Sequence, residues 1–126
     1  MIITRKEILR AIRVENLSGT YPISERYNGY TVVWDDKCKV CAVGAVLRQK
    51  GIDSQDITLA FWYATGKSNC SKDADENDAL KDQNYMAALS IKFEKLYREL
   101  GGGNRTKKAL AEFVKANFPK QIKVKV

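Results

Sequence analysis

Cys38-Lys-Val-Cys-Ala-Val-Gly-Ala-Val-Leu-Arg-Gln-Lys-Gly51 is the stretch of this 126-residue sequence that decides the fold. Between positions 39 and 50 the apolar side chains surround the axis of a predicted helix on nearly every side, and a helix of that kind is buried. Gly51 suits the left-handed conformation that commonly follows a helix end. We therefore expect a central buried helix over 39–50. The small residues of its close-approach face are Ala42, Gly44 and Ala45.

The segment Thr4-Arg-Lys-Glu7 is a capping box and predicts where the first helix begins. The Thr4 hydroxyl can accept a hydrogen bond from the Glu7 amide, while the Glu7 carboxylate accepts one from the Thr4 amide. Ile3 and Ile8 occupy the two positions of a hydrophobic staple, so a helix over 4–15 is expected. The side chains that it should bury are Ile8, Leu9, Ala11 and Ile12.

Strands are predicted in two places. Asn28-Gly29 suits the positive φ angles of a type I′ turn, and it lies in a β-branched and aromatic segment. A hairpin over 21–34, pairing 21–27 with 30–34, is therefore expected. Near the C-terminus, the alternation Ile122-Lys-Val-Lys-Val126 predicts a strand with one apolar and one basic face. We expect the hairpin and this strand to form one small antiparallel sheet.

Three further helices complete the predicted architecture. They cover 54–65, a long segment 74–100 that the glycines at 101–103 end, and 106–117. The alternation of apolar residues in 54–65 also fits a strand, but an N-cap at Asp53 or Ser54 and Gly66 after the segment favour the helix. The length fits one domain over 1–126, since a second independent core would be marginal at this size. The fold class is thus α+β, a mostly helical single domain of about five helices, with the 39–50 helix packed by the first, the long and the last helix.

Three cysteines raise the question of metal or redox chemistry. Cys38 and Cys41 have the spacing of a zinc or dithiol pair, and Cys70 could add a third sulfur. Structural zinc sites usually need four thiolate or imidazole ligands, but the chain has no histidine and no second cysteine pair. The βαβ pattern typical of a thioredoxin-like site is also missing. Small buried apolar cysteines are the simpler interpretation, and neither a metal nor a cofactor is expected.

A calcium loop is suggested by Asp73, Asp75 and Asn77. The sixth position of such a loop needs glycine and the twelfth a bidentate glutamate, yet these positions hold Asp78 and Asn84. An acid-rich helix start is the better interpretation. Without histidine, serine or cysteine triads of the ordinary kind are also excluded. We therefore expect a protein that is not an enzyme.

The positive charge is concentrated at the C-terminus. Residues 104–126 carry seven basic and one acidic side chain, whereas 52–103 carry six basic and nine acidic ones, in a chain of net charge +7. A basic cluster of this kind can bind nucleic acid by releasing counterions, or it can be an ordinary solvated surface whose lysines protect an edge strand. The candidate binding residues are Arg105, Lys107, Lys108, Lys115, Lys120, Lys123 and Lys125.

The segment Cys41-Ala-Val-Gly-Ala-Val-Leu47 followed by Gly51, together with Phe93-Glu-Lys-Leu96 and Phe113-Val-Lys-Ala-Asn-Phe-Pro119, resembles small proteins of unknown function encoded by phages and mobile elements. Phage proteins of this size include inhibitors of host defence or transcription, among them anti-CRISPR proteins, which act by occupying a surface. The resemblance implies a non-enzymatic inhibitor of a host protein or nucleoprotein complex.

Two non-enzymatic functions are therefore expected to compete, and a third, enzymatic class would rest on a reactive Cys38 or Cys41. The first is docking on such a host partner, steered by the acidic region 73–82 and the basic region 104–125. The second is direct nucleic-acid binding through the C-terminal helix and strand. No apolar run approaches the roughly 20 residues of a membrane span, and an odd cysteine count suits a reducing compartment. We expect a location in the cytoplasm, that of the host cell if a phage encodes the protein, and no membrane partner.

Overall fold

The computed structural model describes residues 1–17, 21–22, 31–32, 39–52, 57–66 and 75–124. These residues are mostly helical, and the predicted α+β class is confirmed. The helices are α1 (Arg5–Val14), α2 (Ala42–Gln49), α3 (Ile57–Thr65), α4 (Glu76–Lys81), α5 (Tyr85–Leu100) and α6 (Asn104–Asn117). The strands are β1 (Ile2–Thr4), β2 (Asn16–Leu17), β3 (Tyr21–Pro22), β4 (Thr31–Val32), β5 (Lys39–Val40) and β6 (Gln121–Lys123).

Helix α2 lies at the centre of the hydrophobic core, as predicted. Every residue from Ala42 to Leu47 is buried, and Gly51 follows the helix with a φ of +87°. The helix is shorter than expected at its start, because Cys41 is the N-cap and the two preceding residues form β5. Its main neighbours are α1, α3 and α5. Helix α6, which we expected to pack on α2, instead makes its main contacts with α1 and α5.

The capping box at the start of α1 is confirmed. The Glu7 amide donates to the Thr4 hydroxyl at 3.1 Å, and the Thr4 amide donates to the Glu7 carboxylate at 2.9 Å. Ile3 and Ile8, the two staple residues, are fully buried. The hydrogen bonds of the capping box and the buried staple residues both place the N-cap of α1 at Thr4. The local sequence alone is therefore sufficient to fix the start of this helix.

The predicted long helix over 74–100 is wrong, because the chain breaks between α4 and α5. Gln83 adopts a positive φ of 58°. Asn84 then caps α5, accepting a hydrogen bond from the Ala87 amide at 3.2 Å, while its Nδ2 donates to the Thr65 carbonyl at 3.0 Å. An asparagine that satisfies two helix ends in this way favours the break over a continuous helix. Asp75 similarly caps α4.

The strands form three separate pairs in the described part of the chain. The C-terminal strand β6 pairs antiparallel with β1, with Ile3 opposite Ile122, and not with the hairpin. The strands β3 and β4 are paired antiparallel, and β2 is parallel to β5. In the hairpin, Pro22 lies opposite Thr31. An unbroken ladder with its turn at 28–29 would place Pro22 opposite position 35, so the observed register differs from the predicted one. The predicted turn itself lies outside the described residues.

The remaining predicted helices are present. Helix α3 ends at Thr65 and is followed by Gly66 with a φ of +71°. Helix α6 begins two residues earlier than the sequence indicates, at Asn104. Among the helices of the described ranges, none is both long and apolar enough to cross a membrane. One hydrophobic cluster includes buried residues from α1, α2, α3, α5, α6, β1 and β6.

A candidate anion-binding face between the first and last helices

Helices α1 and α6 lie antiparallel, and each contributes a cation to the carboxyl end of the other. The Arg5 guanidinium, at the start of α1, donates to the Phe118 carbonyl at the C-cap of α6, at 3.1 Å. The Lys107 ammonium, in the first turn of α6, donates to the carbonyls of Arg13 and Glu15 at the end of α1, at 3.1 and 2.7 Å. Carbonyls at a helix end lack intrahelical donors, so these bonds tie the two helices together at both ends.

Lys107 is therefore a structural residue, although the sequence placed it among the candidate binding residues. Its side chain is half-buried, and its ammonium is held by two backbone carbonyls. The side chain of the next residue, Lys108, is exposed and makes no hydrogen bond or ion pair with the described residues. The two adjacent lysines thus have different roles.

We expect Lys107→Met to lower the free energy of unfolding by about 1–2 kcal/mol, because a cation at a helix carboxyl end stabilises it by up to roughly that amount. The matched variant Lys108→Met removes the same charge at an exposed position and should change it by less than about 0.5 kcal/mol. Urea unfolding at low salt measures both. Equal losses in the two variants would show that Lys107 contributes only surface charge.

A groove of about 410 Å³ runs between α1 and α6. Its floor is apolar and its walls are basic. On each of the two helices, apolar residues of the groove are flanked by exposed cations. The floor residues are Leu9, Ile12 and Ala111, and the polar and basic wall residues are Arg13, Asn104, Lys107, Lys108 and Lys115. No acidic residue is among the described residues that line this groove. Anions are therefore the ligands that its charge favours.

Both helices present the same pattern: a cation, an apolar residue three positions later, and a second cation seven positions after the first. The residues are Lys6, Leu9 and Arg13 on α1, and Lys108, Ala111 and Lys115 on α6. Because the helices are antiparallel, Lys6 lies at the same end of the pair as Lys115, and Arg13 at the same end as Lys108. Seven residues advance a helix by about 10.5 Å. The pattern therefore puts two cations at each end of an apolar floor.

The basic face continues beyond the end of α6. A second cavity of about 300 Å³ is lined by Thr4, Arg5, Lys6, Lys120 and Gln121. Lys6 and Lys120 are exposed, as is Lys123 on β6. This cavity lies where β1 joins α1 and where α6 leads into β6, so the positive surface extends from the groove to the paired strands.

The carboxylates of α1 do not neutralise this face, because they pair on the side of α2. Glu7 accepts a hydrogen bond from Lys50 at 2.8 Å, and that bond, followed by the one from the Thr4 backbone, holds the pKa of Glu7 below its ordinary value. Glu15 lies 3.7 Å from Arg48. With its acids directed to α2, α1 leaves Lys6 and Arg13 exposed, and neither makes an ion pair with a described residue.

The predicted binding residues are not all brought together. Lys108 and Lys115 line the groove, and Lys120 lines the neighbouring cavity. Arg105 is exposed on the outward side of α6, seven positions before Glu112, and so shares that side with it. Lys125 lies outside the described residues. We name the exposed cations around the groove and cavity the basic face. They are Lys6, Arg13, Lys108, Lys115, Lys120 and Lys123.

Two members of the basic face, Lys6 and Arg13, were missed by the sequence analysis. They belong to the N-terminal third of the chain, whose basic side chains are diluted by acids. Their seven-residue spacing on a capped helix was the available signal, since such positions share one side of a helix. Only the pairing of α1 with α6 shows that this side faces the C-terminal lysines.

Cys41 does not have the environment of a reactive thiol. It is fully buried, and burial raises its pKa to about 11, whereas redox and nucleophilic cysteines need a lowered pKa. Its sulfur accepts a hydrogen bond from the Gly44 amide at 3.4 Å and so caps α2. Cys38 and Cys70 lie outside the described residues. No group of three potential metal ligands occurs within the described ranges.

The acidic region predicted over 73–82 is described from residue 75 onward. Asp75, Asp78 and Asp82 are exposed around α4. Glu76 lies 2.7 Å from Lys95 and 3.7 Å from Lys92 on α5, so part of its charge is neutralised within the fold. The exposed aspartates are on a different helix from the basic face, which keeps the two charge regions distinct.

Comparisons of the chain with models of protein families, with curated proteins and with solved structures find no match in any of the three.

Proposed function

We propose that this protein is a non-enzymatic nucleic-acid-binding protein that contacts phosphate groups through the basic face. The observation that carries the proposal is the arrangement of cations on two antiparallel helices, facing one another across a groove whose described lining holds no carboxylate. Phosphate backbones are the biological polyanions that such a surface fits best, because each neutralised phosphate releases a condensed counterion.

The number of available cations sets the expected salt dependence. Six exposed cations form the basic face, and not all of them can reach phosphates at the same time. With about five contacts, the slope of log Kobs against log salt is expected to be roughly −4.5 on duplex and −3.5 on single strands. These contacts position the ligand but carry no base sequence.

The test is a titration of labelled oligonucleotides, followed by fluorescence anisotropy at salt concentrations between about 50 and 200 mM. We expect binding whose affinity falls steeply with salt, at a slope between about −3 and −5. Binding that is independent of base sequence supports the phosphate contacts. Absence of binding at the lowest salt, or a slope near zero, would contradict the proposal.

Docking on a host protein or nucleoprotein complex, the first expectation from the sequence, is the second candidate. One observation favours it: Tyr63 on α3 is 57% exposed, and aromatic residues are enriched in protein interfaces. This function would give capture of a protein partner and no retention of free oligonucleotides at low salt. The origin in a phage and the location in the host cytoplasm stay predictions.

A further inference from the structure

We propose that the groove between α1 and α6 seats one unpaired nucleotide, so that the protein binds single-stranded nucleic acid in preference to duplex. The inference rests on the proposed function and specifies its ligand. The base would lie on the apolar floor of the groove, and the backbone phosphates on its two sides would lie at the two pairs of cations.

The size of the groove supports a single nucleotide. A volume of about 410 Å³ falls at the lower part of the range of small-ligand sites, roughly 300–1,000 Å³. A nucleobase with its sugar is a ligand of that class, whereas a duplex is much wider than the gap between two packed helices, whose axes are about 8–10 Å apart. A duplex could touch the rims but not the floor.

The floor has the chemistry of a base-contacting surface. Leu9 and Ala111 are half-buried and present aliphatic groups to the groove, with Ile12 beneath them at 1% exposure. An unpaired base gains by covering its face with apolar groups, while the bases of a duplex already stack on one another. A ligand that offers only phosphates would leave this floor uncovered, so the apolar floor selects for unpaired bases.

The ends of the groove fit the backbone of the same strand. Arg13 and Lys108 line one end of the groove. Lys115 lines the other end, about 10.5 Å away along the helices, where Lys6 lines the neighbouring cavity. A strand that crosses the groove along its length meets positive charge before and after the seated base. The phosphates and the base alternate along a strand as the cations and the apolar floor alternate along the groove. One extended strand can therefore meet both.

The outward side of α6 is less suited to a duplex. Glu112 is exposed there, one turn from Lys108 and two turns from Arg105. A helix that enters the major groove of a duplex brings that side close to phosphates, which a carboxylate disfavours. The favourable approach is therefore along the groove between the helices, where the described lining has no acidic residue.

The experiment compares three ligands of equal length at one low salt concentration: an oligothymidylate of about 20 nucleotides, the same backbone with abasic sites, and a duplex. We expect the oligothymidylate to bind about five- to tenfold more tightly than the other two. Because the floor is aliphatic and not aromatic, this gain is set no higher than the lower end of what a base gains by stacking on an aromatic side chain. The abasic strand keeps its phosphates, so the difference isolates the contribution of the base.

A matched pair of variants locates the effect. Ala111→Gln adds a polar side chain to the floor and should reduce the affinity for oligothymidylate to that for the abasic strand, without changing the latter. Ala116→Gln makes the same change at an exposed position of α6, outside the groove lining, and should change neither affinity. Circular dichroism verifies that both variants fold. If one does not, the comparison of the three ligands on the wild-type protein still tests whether an unpaired base adds to the affinity.

Equal affinities for the three ligands, with a steep salt dependence, would overturn this inference and leave the proposed phosphate contacts standing. Tighter binding of the duplex would overturn it as well. If none of the three ligands binds at low salt, the proposed function fails and the inference fails with it.

Discussion

Replacing Arg13, Lys108 and Lys115 together with glutamine is expected to weaken nucleic-acid binding roughly one hundred- to one thousandfold near 0.1 M salt. Each lost phosphate contact removes about 0.9 from the salt slope on duplex, which is close to a tenfold loss of affinity at that concentration. The three side chains line the groove, and none is hydrogen-bonded to a described residue through its charged group. Stability should therefore change little.

The measurement is the salt slope as well as the affinity, since a slope reduced by roughly 2–3 identifies lost phosphate contacts. The control is Lys81→Gln, which removes an exposed cation on α4 and should leave the slope unchanged. An unaltered slope in the triple variant would show that the groove cations do not touch phosphates, and it would direct attention to Lys120 and Lys123.

Gly44→Leu is expected to lower the free energy of unfolding by about 1–3 kcal/mol or more, because extra methylene groups in a filled core force its neighbours to move. Gly44 lies within α2, where every residue from Ala42 to Leu47 is buried and where α1, α3 and α5 all make contact. A leucine there has no exposed side to which it can turn. Thermal or urea unfolding provides the measurement.

The control for this prediction is Ala116→Leu, which introduces the same side chain at an exposed position of α6 and should change the stability by less than about 0.5 kcal/mol. If Gly44→Leu were equally mild, the close approach of helices to this face of α2 would be disproved. A large loss in both variants would point to a general effect of added apolar surface.

Features that depend on neighbouring residues in sequence were predictable. Thr4 and Glu7 are three residues apart, and Gly51 directly follows the last turn of α2. The sequence was therefore enough to place the start of α1 and the end of α2. The break before α5 was not predictable in this way. Its cause includes the hydrogen bond from Asn84 to the Thr65 carbonyl, 19 residues earlier in the chain, and no periodicity within 74–100 contains that partner.

In the candidate site, too, the features set by local sequence were predictable and those set by long-range contacts were not. The C-terminal cations were visible as a charge cluster, and five of the seven predicted residues are exposed in the structure. Their partners on α1 were missed because the pairing of α1 with α6 is a long-range contact. Lys107 and Lys108 are chemically identical neighbours, and only the position of the α1 carboxyl end shows that the first is held within the fold while the second stays exposed.

The bonds between Lys107 and the end of α1 join residues 94 and 92 positions apart. Contacts at such separations form late, because the chain entropy of closing a long loop must be overcome first. During translation, a chain that has not yet emerged as far as α6 presents only one wall of the groove. Under the proposed function, an unfinished polypeptide lacks half of the binding surface, and that surface is completed when the two distant helices meet.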